Sequence, residues 1–117
     1  MNKARIAHAK VAEYFDEISF PCPTGKTCKE VTQRVIVNGE ERIRRLDIAN
    51  EDPFIRHAIE VKAYETGKVY KTQDIIREIE SDAVLVKLGW KIEWKFIGCD
   101  LSQPLREALN NAGIKIL

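Results

Sequence analysis

The 117-residue sequence predicts an α/β fold, a mixed central sheet with flanking helices in the order α-β-β-β-α-β-α-β. Three observations predict it. Two stretches carry apolar residues at helical spacing, and a third is marked as a helix by its start and stop residues. Between them lie β-branched or strictly alternating runs bounded by turn residues. The strand-helix-strand run over 58–96 is long enough for a crossover, which places its two strands parallel with right-handed sense.

Over 4–18, Ala7, Val11, Tyr14 and Ile18 form one stripe, with Lys10, Glu13, Asp16 and Glu17 off it, so the first helix is amphipathic. Two prolines and a glycine in Phe20-Pro21-Cys22-Pro23-Thr24-Gly25 end it in a loop. The segments 31–37 and 41–49 flank Asn38-Gly39, the signature of a hairpin with a type I′ turn. Asn50-Glu51-Asp52-Pro53 supplies the next turn. Over 58–64 the chain then alternates, with Ile59, Val61 and Ala63 on one face and Glu60, Lys62 and Tyr64 on the other. After a turn at Thr66-Gly67, the stretch 72–88 is helical, capped by Thr72, striped by Ile75, Ile76, Ile79, Ala83 and Val86, and stopped by Gly89. Trp90, Ile92, Trp94 and Phe96 alternate with Lys91, Glu93 and Lys95 in a half-buried strand. A last helix spans 103–112, with Ser102 as cap, Pro104 in its first turn and Gly113 as stop, before a short strand over 114–117. There is no internal repeat.

Length and composition suit a single domain over 1–117: hydrophobic residues make 44% and charged ones 32%, with no signature of disorder. No apolar run approaches the ~18–20 residues of a membrane span, and the opening Met1-Asn2-Lys3-Ala4-Arg5 does not read as a signal segment. No membrane partner is expected. The net charge of +1 is too small for bulk electrostatics to argue nucleic-acid binding, so any basic surface is local. Cys22, Cys28 and Cys99 lack the paired spacing of a zinc ribbon or a disulfide framework. Cys22 and Cys28 would close a small loop if oxidised; structural thiols in a reduced compartment are the default expectation.

Chemistry concentrates at Asp47 and Glu60-Val61-Lys62. Residues two apart on a strand point the same way with Cα atoms ~6.6 Å apart, so Glu60 and Lys62 present an acid and a base to one spot. If the strand carrying Asp47 pairs alongside, its carboxylate reaches Glu60. Two carboxylates so placed repel, and a hard divalent cation such as Mg²⁺ removes the repulsion while leaving sites for water and a phosphate oxygen. Lys62 would orient an attacking water or offset charge developing on the phosphate. Phosphodiester hydrolysis suits such a site.

Asp47 with Glu60-Val61-Lys62, a preceding helix, a hairpin leading into the acidic strand and a helix afterwards resembles the PD-(D/E)xK, or restriction-endonuclease-like, nuclease superfamily. Gln73, Asp82, Gly89, Trp94-Lys95-Phe96, Leu105, Leu109 and Gly113-Ile114 are similar to the restriction-endonuclease-like toxin domains at the C-termini of contact-dependent growth inhibition and related polymorphic toxin proteins. The resemblance implies Asp47 and Glu60 as metal ligands, Lys62 as the catalytic lysine, and a further acid from the first helix. Glu13 is available for that role, although His8 stands one turn earlier where the acid is expected. It implies a divalent metal, Mg²⁺ first, with Zn²⁺ or Mn²⁺ as alternatives. It also implies a cognate immunity protein, a nucleic-acid substrate and no stable homo-oligomer. Secretion as the C-terminal part of a larger bacterial protein acting in the target-cell cytoplasm follows from the same likeness. tRNA is slightly favoured over DNA, because the domain is compact and carries no recognisable duplex-reading module.

Each residue also has a plainer reading. Glu-x-Lys on a strand is a common solvated pattern, and Asp47 can pair with Arg44 or Arg45 on the surface for ~0–1 kcal/mol. Glu13 reads first as a solvent-facing helix residue, and Gln73 as a first-turn helix residue. Trp90 and Trp94 read as core before base-stacking. Arg42, Arg44 and Arg45 suit either phosphate contact or a solvated hairpin. Thr24-Gly25-Lys26-Thr27 lacks the glycine-rich run of a P-loop. Two other functions stay open: a cellular DNA-processing nuclease of the same fold, which would be dimeric, and a binding module without catalysis.

Overall fold

In the computed structural model, residues 3–65 and 67–117 are described, residues 3–8 by their backbone only. Thr66 and the side chains of Ala7 and His8 lie outside the described residues. Chain order is α1 (Lys3–Glu17), β1 (Lys29–Val37), β2 (Glu40–Asn50), β3 (His57–Ala63), β4 (Lys68–Val69), α2 (Gln73–Lys87), β5 (Lys91–Ile97), β6 (Asp100–Leu101), α3 (Gln103–Asn111) and β7 (Lys115–Ile116). The α/β class and the mixed sheet are as expected. β4 and β6 are additions: two residues each, too short for any periodicity, they pair parallel in a separate two-stranded sheet.

The main sheet has the order β1-β2-β3-β5-β7. The hairpin β1-β2 turns through Asn38 and Gly39 at φ 50° and 82°, both left-handed as a type I′ turn requires. β3 pairs antiparallel with β2 and parallel with β5, with α2 as the crossover. Thr72 caps α2 by accepting from the Ile75 N–H, and Ser102 caps α3 the same way through Leu105.

Alternation along the strands sorts side chains into two cores. Ile59, Val61 and Ala63 of β3 pack with Phe20, Cys28 and Ile48 against Val11, Tyr14, Phe15 and Ile18 of α1 and its exit. On the other face Leu46, Ala58, Ile92 and Trp94 pack against α2 and α3 through Ile75, Ile79, Leu85, Leu105 and Leu109. Trp90 and Trp94 are therefore core residues. Glu93, expected on a solvated face, is buried because α1 covers that face, and it is met there by His57.

Cys22 and Cys28 form a disulfide, contrary to the expectation of reduced thiols. A turn in which the Lys26 N–H reaches the Pro23 carbonyl folds the intervening residues back, bringing the two Cα atoms within 6.0 Å. Cys99 is free. Among the described residues no helix is long and apolar enough to cross a membrane.

Candidate functional site

β3 places Glu60 and Lys62 on the α2 face of the sheet, the side opposite Ile59, Val61 and Ala63. Glu60 is 6% exposed. The Lys62 ammonium lies 3.1 Å from Glu60 Oε2, held also by the face of Trp94, whose ring centre is 5.2 Å away.

β2 delivers Asp47 through a break in its own alternation. Leu46 and Ile48 are two residues apart yet belong to opposite cores, so the strand reverses its facing at Asp47. The β2-β3 ladder stops at Ile48↔Ile59, and the Asp47 carboxylate then stands in for a backbone carbonyl, accepting the Val61 N–H at 2.8 Å. This fixes the acid beside Glu60.

The third acid comes from α2. Glu78 accepts from Lys62 Nζ at 2.8 and 3.1 Å, so the ammonium bridges Glu60 and Glu78. One turn on, Asp82 is fully buried and accepts both Trp94 Nε1 and the Arg44 guanidinium. Arg44 also lies 3.3 Å from Glu60 Oε1 and 3.4 Å from Glu78 Oε2.

Electrostatics in this cluster are out of balance. Four carboxyls, Asp47, Glu60, Glu78 and Asp82, face two cations, Arg44 and Lys62. Burial would neutralise Glu60, but Arg44 and Lys62 outweigh it and hold that carboxyl below its ordinary range. The surplus falls on its neighbours. Burial, and then the Glu60 charge, push Asp47 up to about 7. The same two causes push Glu78 up to about 7. Burial also raises Asp82, against the pull of Arg44. For Lys62 and Arg44, burial opposes the charge, yet the acids around them win and both are held firmly protonated. Glu60 Oε1 is buried and accepts no hydrogen bond, since Arg44 stands near it without bonding geometry.

The structure thus brings Asp47, Glu60 and Lys62 together and adds Glu78, Arg44 and Asp82. It does not bring Glu13, which is exposed and pairs with Lys10 on α1, across the sheet from the cluster. The further acid beside Glu60 and Lys62 is Glu78 of α2. The side chain of His8, the other first-helix candidate, is not among the described parts of the chain. Gln73 is exposed at the start of α2, a turn before Glu78. Arg44 is not a surface partner of Asp47 but a buried pillar of the cluster, because it shares with Leu46 the face that α2 covers. Arg42 is tied to Glu40 and Glu80.

Glu78 and Asp82 carry a sequence signal after all. With Ile75 and Ile79 they repeat at i, i+3, i+4 and i+7, so two acids stand on the core-facing stripe of an amphipathic helix. Asp47, Glu60 and Glu78 offer only oxygen donors, the set a hard divalent cation takes. Among the described residues, no group of three or more His, Cys, Asp or Glu side chains is placed to hold a metal ion, and the Lys62 ammonium bridges Glu60 and Glu78. No family model matches the chain, no curated protein matches it, and no solved structure matches it.

Proposed function

We propose that this chain is a metal-dependent nuclease domain that hydrolyses phosphodiester bonds, with a restriction-endonuclease-like arrangement of its sheet and Asp47, Glu60, Lys62 and Glu78 at its centre. One observation carries the reading: three acids and a lysine converge on one spot with more negative charge than Arg44 and Lys62 neutralise. A divalent cation would supply the missing charge, with the carboxylate oxygens of Asp47, Glu60 and Glu78 as its donors once Asp47 and Glu78 have given up their protons. When bound, the cation supplies Lewis acidity toward a phosphate oxygen and toward water.

The chain's own residues do the rest. Lys62, firmly protonated, sets a positive charge beside the phosphoryl group as negative charge builds in the transition state, an effect worth ~10²–10³-fold in rate. Arg44 and Asp82 position Glu60 from behind, and Trp94 holds Asp82 in turn. The Val61 N–H fixes Asp47 beside Glu60.

The resemblance of Asp47 and Glu60-Val61-Lys62 to interbacterial toxin nucleases supports the same reading of the role: the toxic end of a larger secreted protein, neutralised by a cognate immunity protein, with tRNA favoured over DNA. The test is incubation of the purified protein with total tRNA and with plasmid DNA, in Mg²⁺, Mn²⁺, Zn²⁺ or chelator. Cleavage that needs metal and falls at least ~100-fold in Glu60→Gln and Lys62→Ala is expected. Inertness of the folded protein toward both polymers in every metal sinks the proposal, and undiminished cutting in chelator sinks the mechanism.

A further inference from the structure

The acid cluster opens on one side into a cleft of about 530 Å³, of the size that takes a small organic group. Lys62 and Glu78 line it, as do Tyr64 and Gly67 just past β3. Its place is the usual one in an open α/β sheet, beyond the carboxyl ends of parallel strands, here β3 and β5. Tyr64 lies two residues past Lys62, a strand advance of ~6.6 Å, and Tyr70 also lines the cleft.

The two tyrosines are 37% and 61% exposed. Their setting is firm on the β3 side. The Tyr64 N–H donates to the Ile97 carbonyl, and Gly98 presses so closely that a Cβ there would stand 2.2 Å from the Tyr64 carbonyl oxygen. Val69 and Ile75 give the cleft an apolar floor, while Lys68 and Asp74 add one charge of each sign at its rim. A simple anion would find Asp74 and Glu78 against it. A flat heteroaromatic ring with both donors and acceptors on its edge, joined to a phosphate that reaches Lys62, meets every part of the lining.

We propose that this cleft seats one unpaired nucleobase next to the bond that the acid cluster cleaves, with Tyr70 and Tyr64 as stacking residues and Asp74 as an acceptor for the base edge. The proposal rests on the nuclease reading and narrows its substrate to unpaired strands, loops and bulges, since a base inside a duplex has no free face to offer.

Binding is read apart from cutting. Fluorescein-labelled single-stranded RNA and DNA oligonucleotides of one sequence, and their blunt duplexes, are titrated against the Glu60→Gln protein by anisotropy at fixed salt. Single strands are expected to bind at least about tenfold tighter than duplexes, Tyr70→Ala to lose about tenfold, and Tyr70→Trp to retain the affinity. In the otherwise wild-type protein, Tyr70→Ala raises KM with kcat little changed. Tyr70 is exposed, so its variants keep the fold, which circular dichroism verifies. Whichever sugar binds tighter assigns the strand as RNA or DNA. Metal-dependent cutting with affinity and KM unmoved by Tyr70→Ala overturns the cleft and leaves the nuclease standing. Tyrosine-dependent single-strand binding by a protein that cuts nothing does the reverse. Neither binding nor cutting overturns both.

Discussion

Asp47→Asn tests the charge imbalance directly. Asparagine keeps the acceptor oxygen that the Val61 N–H uses at 2.8 Å, so the exchange removes charge and little else. Folding drives the Asp47 carboxyl from its ordinary 3.8 to about 7. A raised folded-state value means that the folded protein binds more protons than the unfolded chain between those two values, so stability falls as pH rises through that window. The wild type therefore carries a penalty that is absent near the acid end, grows through the window and levels off above about pH 7. Three units at ~1.36 kcal/mol each set a ceiling of ~4 kcal/mol. Because Asp47 is only partly buried, solvent screening brings the expected gain of Asp47→Asn to about 2 kcal/mol at mildly alkaline pH. Glu60 does not blur the comparison: its folded value lies below its ordinary 4.5, so its contribution is already complete once pH exceeds that. The assay is urea denaturation of both proteins in chelator at several pH values between about 5 and 8, reading the midpoint at constant m. A variant that is less stable than wild type, or one whose advantage is flat with pH, refutes the reasoning.

Metal binding should displace the protons held on Asp47 and Glu78, so affinity for Mn²⁺ or Mg²⁺ rises with pH and levels off above about pH 7; calorimetry in buffers of different ionisation enthalpy counts the protons released, and a pH-independent affinity without release refutes this. Arg44→Met leaves Glu60 and Asp82 without their shared cation and should destabilise by about 3–5 kcal/mol at neutral pH, less at acid pH where the acids take up protons, as measured by thermal melts. Reduction of the Cys22–Cys28 disulfide opens only a short loop on the α1 side, so it should lower stability by about 2 kcal/mol and leave cleavage unchanged; a loss of activity in Cys22→Ser/Cys28→Ser would tie the loop to the site.

The elements were legible because each rests on a local signal: Asn38-Gly39 for the hairpin, Thr72 and Ser102 for the helix starts, alternation for β3. Glu60 and Lys62 were legible for the same reason, since strand geometry alone makes them neighbours. The partners of the site were not, because they arrive from elements distant in sequence. Glu78 meets Lys62 only after a crossover helix docks, and Arg44 becomes buried only because α2 lies over the hairpin. Glu13 was misplaced by a question of faces. Nothing in its own helix tells which side of the sheet that helix will cover, and α1 covers the side away from Glu60. The disulfide depended on the fold of a loop whose six-residue separation permits bonding without requiring it.

A buried ion network that serves stability alone tends toward charge balance, since an unpaired ion in a low-dielectric interior costs several kcal/mol. Here the same side chains part into two groups. Asp82, Arg44 and Trp94 form a satisfied unit, each hydrogen-bonding another, and they anchor α2 to the sheet. Asp47, Glu60 and Glu78 form the other: Glu60 Oε1 accepts no hydrogen bond, Glu60 and Glu78 share Lys62 and Arg44, and Asp47 and Glu78 are pushed up to about 7, so they keep protons that isolated carboxyls would have lost. One amide in place of Asp47 or Glu78 would relieve the repulsion with almost no change of shape. A chain selected only to hold its sheet and helix together has no use for both acids in that position. On the proposal of a cation site both acids have a use, because the carboxylate charges that repel one another in the cluster are the charges that would bind the ion.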